Sequence, residues 1–106
     1  MAERPPVPGD LPALQGFLDA WIKERGSYWS PLSQYARLAD EVGELGRELN
    51  FQFGDKPRAA KDADGSVTDE LGDVLFIVVL LANYLGIDLV AALSGTLAKY
   101  EKRPPP

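Results

Sequence analysis

Apolar side chains recur along this chain at intervals of three and four residues, and the pattern breaks at Gly, Pro and short polar runs. That spacing predicts four helices and no convincing strand. The first covers residues 12–25, where Leu11, Leu14, Phe17, Leu18, Trp21 and Ile22 share a face; Asp10 suits its cap, Pro12 its first turn and Gly26 its end. The second covers 31–49, with Ser30 as cap, Pro31 at the first helical position and a stripe of Leu38, Val42, Leu45 and Leu49. The third starts near Ser66-Val67-Thr68-Asp69, which outlines a capping box, and stops at Gly86. Val74, Leu75, Ile77, Val78, Val79, Leu80 and Leu81 make it apolar almost all round, so it belongs in an interior. The fourth covers 88–102, capped by Asp88, with Leu89, Ala92, Leu93, Thr96 and Tyr100 as its stripe.

The connection 50–67 carries Gly54, Pro57, Gly65 and the cations Lys56, Arg58 and Lys61, and reads as a mobile polar loop long enough to have a use. Seven of the nine prolines lie at the two ends. They divide the chain into a flexible Pro-rich start (1–9), one helical domain (10–103) and a short tail (104–106). A chain of 106 residues can hardly cover the third helix by itself. Packing on a partner subunit is therefore expected.

Composition narrows the chemistry. There is no Cys and no His. Thiol nucleophiles, imidazole catalysis and the usual zinc ligands are excluded. Catalysis must use carboxylates, Lys, Arg, Tyr, Ser or Thr, and any metal must accept oxygen. The net charge of −5 argues against nucleic-acid binding, which needs cations facing phosphates. The uncharged stretch from Val74 to Ile87 is too short to span a bilayer. The start is polar and Pro-rich, unlike a signal peptide, which makes the cytoplasm the default compartment.

Two acidic pairs carry the functional information: Glu41-Val-Gly-Glu44 and Glu70-Leu-Gly-Asp73. The i,i+3 spacing puts both members of each pair on one helix face. At about 100° per residue, Glu70 and Asp73 lie in line with Ile77, Leu81 and Tyr84, so they continue the apolar stripe. Glu41, Glu44 and Glu48 edge the stripe of the second helix, beside Arg37. Antiparallel packing of these two helices would gather four carboxylates at the margin of the core. Arg37, with Lys99 or Lys56 from elsewhere, supplies too little counter-charge, and recruiting a hard divalent cation is the simpler answer. Mg²⁺ fits, with Mn²⁺ as a substitute, and such a platform suits a nucleoside triphosphate. The bland alternative is a solvated acidic face. Gly43 and Gly72, one inside each motif, point to close helix approach or to tolerated drift.

These residues resemble a known family. Leu38-Ala-Asp-Glu-Val-Gly-Glu-Leu45, followed by Asp69-Glu-Leu-Gly-Asp-Val-Leu-Phe76, is similar to the ExxE…ExxD hallmark of MazG-type nucleotide pyrophosphohydrolases, in the all-α NTP pyrophosphatase superfamily. The likeness continues through Leu81-Ala-Asn-Tyr-Leu-Gly-Ile-Asp88 and Lys99-Tyr-Glu-Lys-Arg103. Trp29-Ser-Pro-Leu and Gly54-Asp-Lys-Pro57 are similar to the short single-domain bacterial members. The resemblance implies the all-α, four-helix bundle-like MazG fold, completed by packing into a homodimer or homotetramer. It implies Mg²⁺ held by Glu41, Glu44, Glu70 and Asp73, and hydrolysis of a nucleoside triphosphate to monophosphate and pyrophosphate. Many members carry Asn two residues before the Lys of the last helix; Leu97 stands there, and Asn83 is the candidate to replace it.

Roles follow from this reading. Water attacks the α-phosphorus; the base is Glu44 or Glu41, or the water is activated by the metal alone. Glu48 either holds a water or is solvated. Lys99, Lys102 and Arg103 reach phosphate or merely suit a helix C-terminus. Lys56, Arg58 and Lys61 close over the triphosphate or are solvated. Trp29 stacks on a base or anchors packing. Asn83 contacts the nucleotide or ties two helices together, and Tyr84 belongs to the core. The leading expectation is a house-cleaning (d)NTP pyrophosphohydrolase. A dUTP-, dCTP- or phosphoribosyl-ATP-directed enzyme of the same superfamily and a non-catalytic helical dimerisation module are the alternatives.

Overall fold

The computed structural model describes residues 3–62 and 64–103; the readings made for the first two residues and for the 104–106 tail lie outside the described residues. Among the described residues there are four α-helices and no strand: α1 (Leu11–Glu24), α2 (Pro31–Phe53), α3 (Val67–Leu85) and α4 (Leu89–Glu101). Local chemistry sets their starts. Asp10 accepts from the Ala13 N–H at 2.8 Å, Ser30 from Ser33 at 3.3 Å, Ser66 from Asp69 at 3.0 Å and Asp88 from Val90 at 2.9 Å. Each bond satisfies an amide that a first helical turn leaves without a partner. α2 runs past 49 to Phe53, because Asn50, Phe51 and Gln52 offer no breaker before Gly54. α3 ends where Gly86 takes φ +69, with Ile87 N–H on Ala82 O at 2.8 Å and Gly86 N–H on Asn83 O at 3.2 Å. This is a Schellman ending, and glycine reaches that backbone region without a Cβ penalty. No single helix among the described residues is long and apolar enough to cross a membrane.

The chain divides into two compact units, one running up to Tyr28 and resuming at Ala82, the other Trp29–Leu81. In the first, α1 packs on α4. Its apolar stripe, Leu11 to Ile22, is half-buried as the spacing predicts. Gln15 ties the unit together. Its Nε2 donates to Asn83 Oδ1 (3.1 Å) and Ile87 O (2.9 Å), its Oε1 accepts from the Leu89 N–H (3.0 Å), and its backbone oxygen accepts from Asn83 Nδ2 (2.9 Å). Tyr28 donates to Asp19 at 2.6 Å, and Lys23 pairs with the same carboxylate at 2.8 Å. Burial, and then the bond to Asp19, push the Tyr28 hydroxyl up to about 12, while the bonds from Lys23 and Tyr28 hold Asp19 below its usual value. Tyr84 is half-exposed, edge-on to Tyr28, rather than in the core. The α4 stripe also divides: Leu89 and Thr96 face inward, whereas Leu93 and Tyr100 are exposed together with Val90 and Leu97.

In the second unit, α2 and the first turns of α3 run antiparallel: Glu41 meets Asp73, and further along α2 the Glu48 carboxylate reaches Gly65, just before α3. The inward seam of α2 differs from the apolar stripe. Gln34, Leu38, Glu41, Leu45 and Glu48 are buried or half-buried, while Val42 and Leu49 are exposed. The seam follows a four-then-three spacing in which polar residues alternate with leucines. Ile77, Val79 and Leu80 are the buried apolar residues that α3 contributes to this unit, but Leu71 and Leu75 are about half exposed. Gly43 and Gly72 meet nothing a Cβ would touch, so close helix approach does not explain them within this chain.

Candidate metal centre

Glu41 on α2 and Glu70 and Asp73 on α3 bring three carboxylate oxygens within 4.8 Å of one another. The antiparallel register makes this possible: Glu41 lies on the inward seam of α2, and Asp73 and Glu70 lie one and two turns before the buried Ile77. The Glu41 side chain is 13% exposed and accepts from Arg37 Nε at 2.9 Å. The Arg37 guanidinium also lies over the Trp29 ring, 5.6 Å from its centre. One Glu70 oxygen is buried with no hydrogen-bond partner. A buried lone pair left unused is costly, and an ion would satisfy it.

The electrostatics agree with the geometry. Burial, followed by the charges of Asp73, Glu41, Glu44 and Glu48, raises the Glu70 carboxyl above its ordinary value. Asp73 is raised by burial, then by the charge and hydrogen bond of Glu41 and the charge of Asp69, with Arg37 pulling the other way. The protein thus holds these acids in a place where their anions are uncomfortable without added positive charge. Oxygen ligands on opposite sides of one Mg²⁺ stand about 4 Å apart, a spacing of the same order as that of these three carboxylate oxygens. All-oxygen donors in a chain without His or Cys fit a hard divalent cation.

Glu44 stands one turn along α2 from Glu41 and acts on Glu70 through its charge, but its half-exposed carboxylate turns to Arg47 at 3.4 Å. Glu48 is not solvated. It is 4% exposed and is paired with Arg58, which returns from the loop. Arg58 stacks 4.6 Å from the Phe51 ring and donates to Gly65 O, so it is not a solvated loop charge either. Trp29 and Lys56 are exposed in the same unit. Asn83, Lys99 and Arg103 belong to the other unit. There Asn83 is engaged by Gln15, Lys99 lies in the last turn of α4, and Arg103 stacks on Tyr100 at 5.0 Å. Sequence reasoning gave no role to Gln34, now buried with its Nε2 on Trp29 O at 2.8 Å, or to Gln15. The four-then-three spacing through Gln34, Glu41 and Glu48 was the available signal for the first; nothing local marks the second.

A family model for the MazG nucleotide pyrophosphohydrolase domain matches residues 29–106. The chain belongs to this family. All the acidic residues of the candidate centre fall inside the matched region. The MazG chain is 43% identical to the uncharacterised protein YpjD of Bacillus subtilis over 91 residues, 85% of this chain and 82% of that protein. It superposes on a crystal structure of YpjD with a TM-score of 0.79 at 40% identity, covering 92% of this chain and 98% of that one. It also matches the crystal structure of a Bacillus-conserved MazG protein, a nucleotide pyrophosphohydrolase, with a TM-score of 0.76 at 37% identity over 92% and 95% of the two chains. The MazG domain makes this chain a pyrophosphohydrolase, and the all-helical fold agrees.

Proposed function

We propose that the chain is a Mg²⁺-dependent nucleoside triphosphate pyrophosphohydrolase that converts a (d)NTP and water to the monophosphate and pyrophosphate, with a house-cleaning role. The observation that carries the reading is the Glu41–Glu70–Asp73 group: three oxygens from two helices within 4.8 Å, with one Glu70 oxygen buried and unbonded. Mg²⁺, or Mn²⁺ in its place, would be held by these three residues together with Glu44. When bound, such an ion neutralises charge on phosphate oxygens and makes water more acidic.

The remaining work falls to the chain. Arg37 fixes the Glu41 carboxylate so that one of its oxygens points to the shared spot. Glu44, at the open rim, takes the proton of the attacking water; Glu41 is the alternative base. Lys56 meets the phosphate tail and Trp29, exposed beside Arg37, offers a ring face to the base. Asn83, Lys99 and Arg103 are carried as substrate contacts on the family resemblance alone. Exposed Leu71 and Leu75 on α3, and Val90, Leu93, Leu97 and Tyr100 on α4, support a homodimer or homotetramer.

A panel of canonical and damaged nucleotides with Mg²⁺, followed by product identification, tests the reaction. Pyrophosphate and a monophosphate are expected, and Glu41→Gln or Asp73→Asn removes both activity and Mn²⁺ binding. Release of orthophosphate overturns the reaction class.

A further inference from the structure

Arg47 lies between two acids and is committed to neither. Its Nη1 is 3.4 Å from Glu44 and its Nη2 is 3.9 Å from Asp62 of the α2–α3 loop. Charge-assisted pairs close to about 2.8 Å when fully made, so both arms are long. The Phe51 ring, 5.1 Å from the guanidinium, gives the head a platform that leaves both arms available. Asp62 is built into a turn: its other oxygen accepts from the Ala59 N–H at 2.8 Å, and its own N–H donates to Ala59 O at 3.0 Å. The far side of the same loop is already docked through Arg58 on Glu48 and Phe51.

Building on the metal reading above, we propose that Arg47 is a positioning residue that exchanges partners: as Glu44 joins the ion, Arg47 gives it up and closes on Asp62, drawing the α2–α3 loop onto α2. Glu44 is the one acid of the two motifs that is not in the three-oxygen group, and its carboxylate lies against Arg47 instead. Once Glu44 is taken, the guanidinium loses one anion and has the second within ion-pair reach. The loop carries Lys56 and Lys61, so ion occupancy and the placing of these cations become one event. Coupling of this kind is reciprocal: whatever the ion gains from loop closure, the loop gains from the ion.

Hydrogen exchange of the 55–62 amides with and without Mn²⁺, alongside calorimetric Mn²⁺ titration, tests this in the wild-type chain, Asp62→Asn and Arg47→Gln. Wild-type exchange should slow about two- to fivefold on Mn²⁺ binding, the scale that an exposed ion pair supplies. Both variants should bind Mn²⁺ without that slowing. A generic effect of ion binding on stability would slow Asp62→Asn equally, and that result overturns the exchange of partners. So does wild-type Mn²⁺ binding with unchanged loop exchange. Absence of Mn²⁺ binding instead removes the metal reading and the exchange with it. Asp62 lies in the loop, so its variant keeps the test alive if Arg47→Gln folds poorly.

Discussion

Neutralising Asp73 should strengthen the metal-free protein and weaken the metal-loaded one. Asp73 shares a 4.8 Å neighbourhood with Glu41 and Glu70. Two unit charges at that distance repel by about 0.9 kcal/mol in bulk water and about 3.5 kcal/mol at the effective dielectric of a protein surface. Asp73 is exposed, and Arg37 already offsets part of the Glu41 charge, so the water-like end applies. Asp73→Asn should therefore stabilise the metal-free fold by about 1 kcal/mol, or roughly 4–6 °C in Tm for a domain of this size. Mn²⁺ reverses the order. At about a hundred times its Kd, the ion stabilises the wild-type chain by about 2.7 kcal/mol, while the variant, having lost a ligand, gains little. The pH dependence has a definite sign. Glu70 and Asp73 have raised folded-state values, so their protonated forms are favoured by folding. Their contribution is fully present below the unfolded-state values and is lost as pH rises through the folded ones. Metal-free wild type should thus gain stability from this pair as pH falls from neutral toward the ordinary carboxyl range, and Asp73→Asn should show a shallower gain. Thermal melts of both chains across pH, with and without Mn²⁺, read all of this. A metal-free Asp73→Asn that melts below wild type, or one that gains as much from Mn²⁺, would refute the reasoning.

Two further outcomes are expected. Gln15→Ala removes three side-chain hydrogen bonds that join α1 to the α3–α4 corner. It should cost about 2 kcal/mol in urea unfolding, at about 1 kcal/mol per bond with the exposed one discounted; a loss below about 0.5 kcal/mol would show that water replaces them. Tyr28, pushed to about 12 against an ordinary 10.0, should be late to ionise in an ultraviolet absorbance titration. Its contribution to stability is lost as pH rises through that folded value, and Asp19→Asn should bring the titration back toward the ordinary one.

The helix starts were legible because capping is local: Asp10, Ser30, Ser66 and Asp88 each bind an amide two or three residues away, whatever the rest of the chain does. The faces of the acidic pairs were legible for the same reason, since helical period alone aligns Glu70, Asp73 and Ile77. Gly86 also announced its turn. Other placements waited on the tertiary structure, where a face has more than one polar neighbour to choose from. Glu41 and Glu44 have the same spacing credentials, yet Glu41 joins the three-oxygen group while Glu44 lies against Arg47, three positions further along the same helix. For Glu48 the sequence leaves a water-holding and a solvated reading open; the residue is buried, because Arg58, ten positions away across a turn, brings it a counter-charge.

Sequence by itself determined the four rods, their caps and the chemistry open to the chain: oxygen donors, no imidazole, no thiol. Tertiary structure alone decided which acids converge, which cations neutralise them and which apolar faces stay uncovered. Period and capping depend on atoms within one helical turn. Convergence depends on the register in which α2 meets α3, and a loop closes that register over distances that no local pattern records.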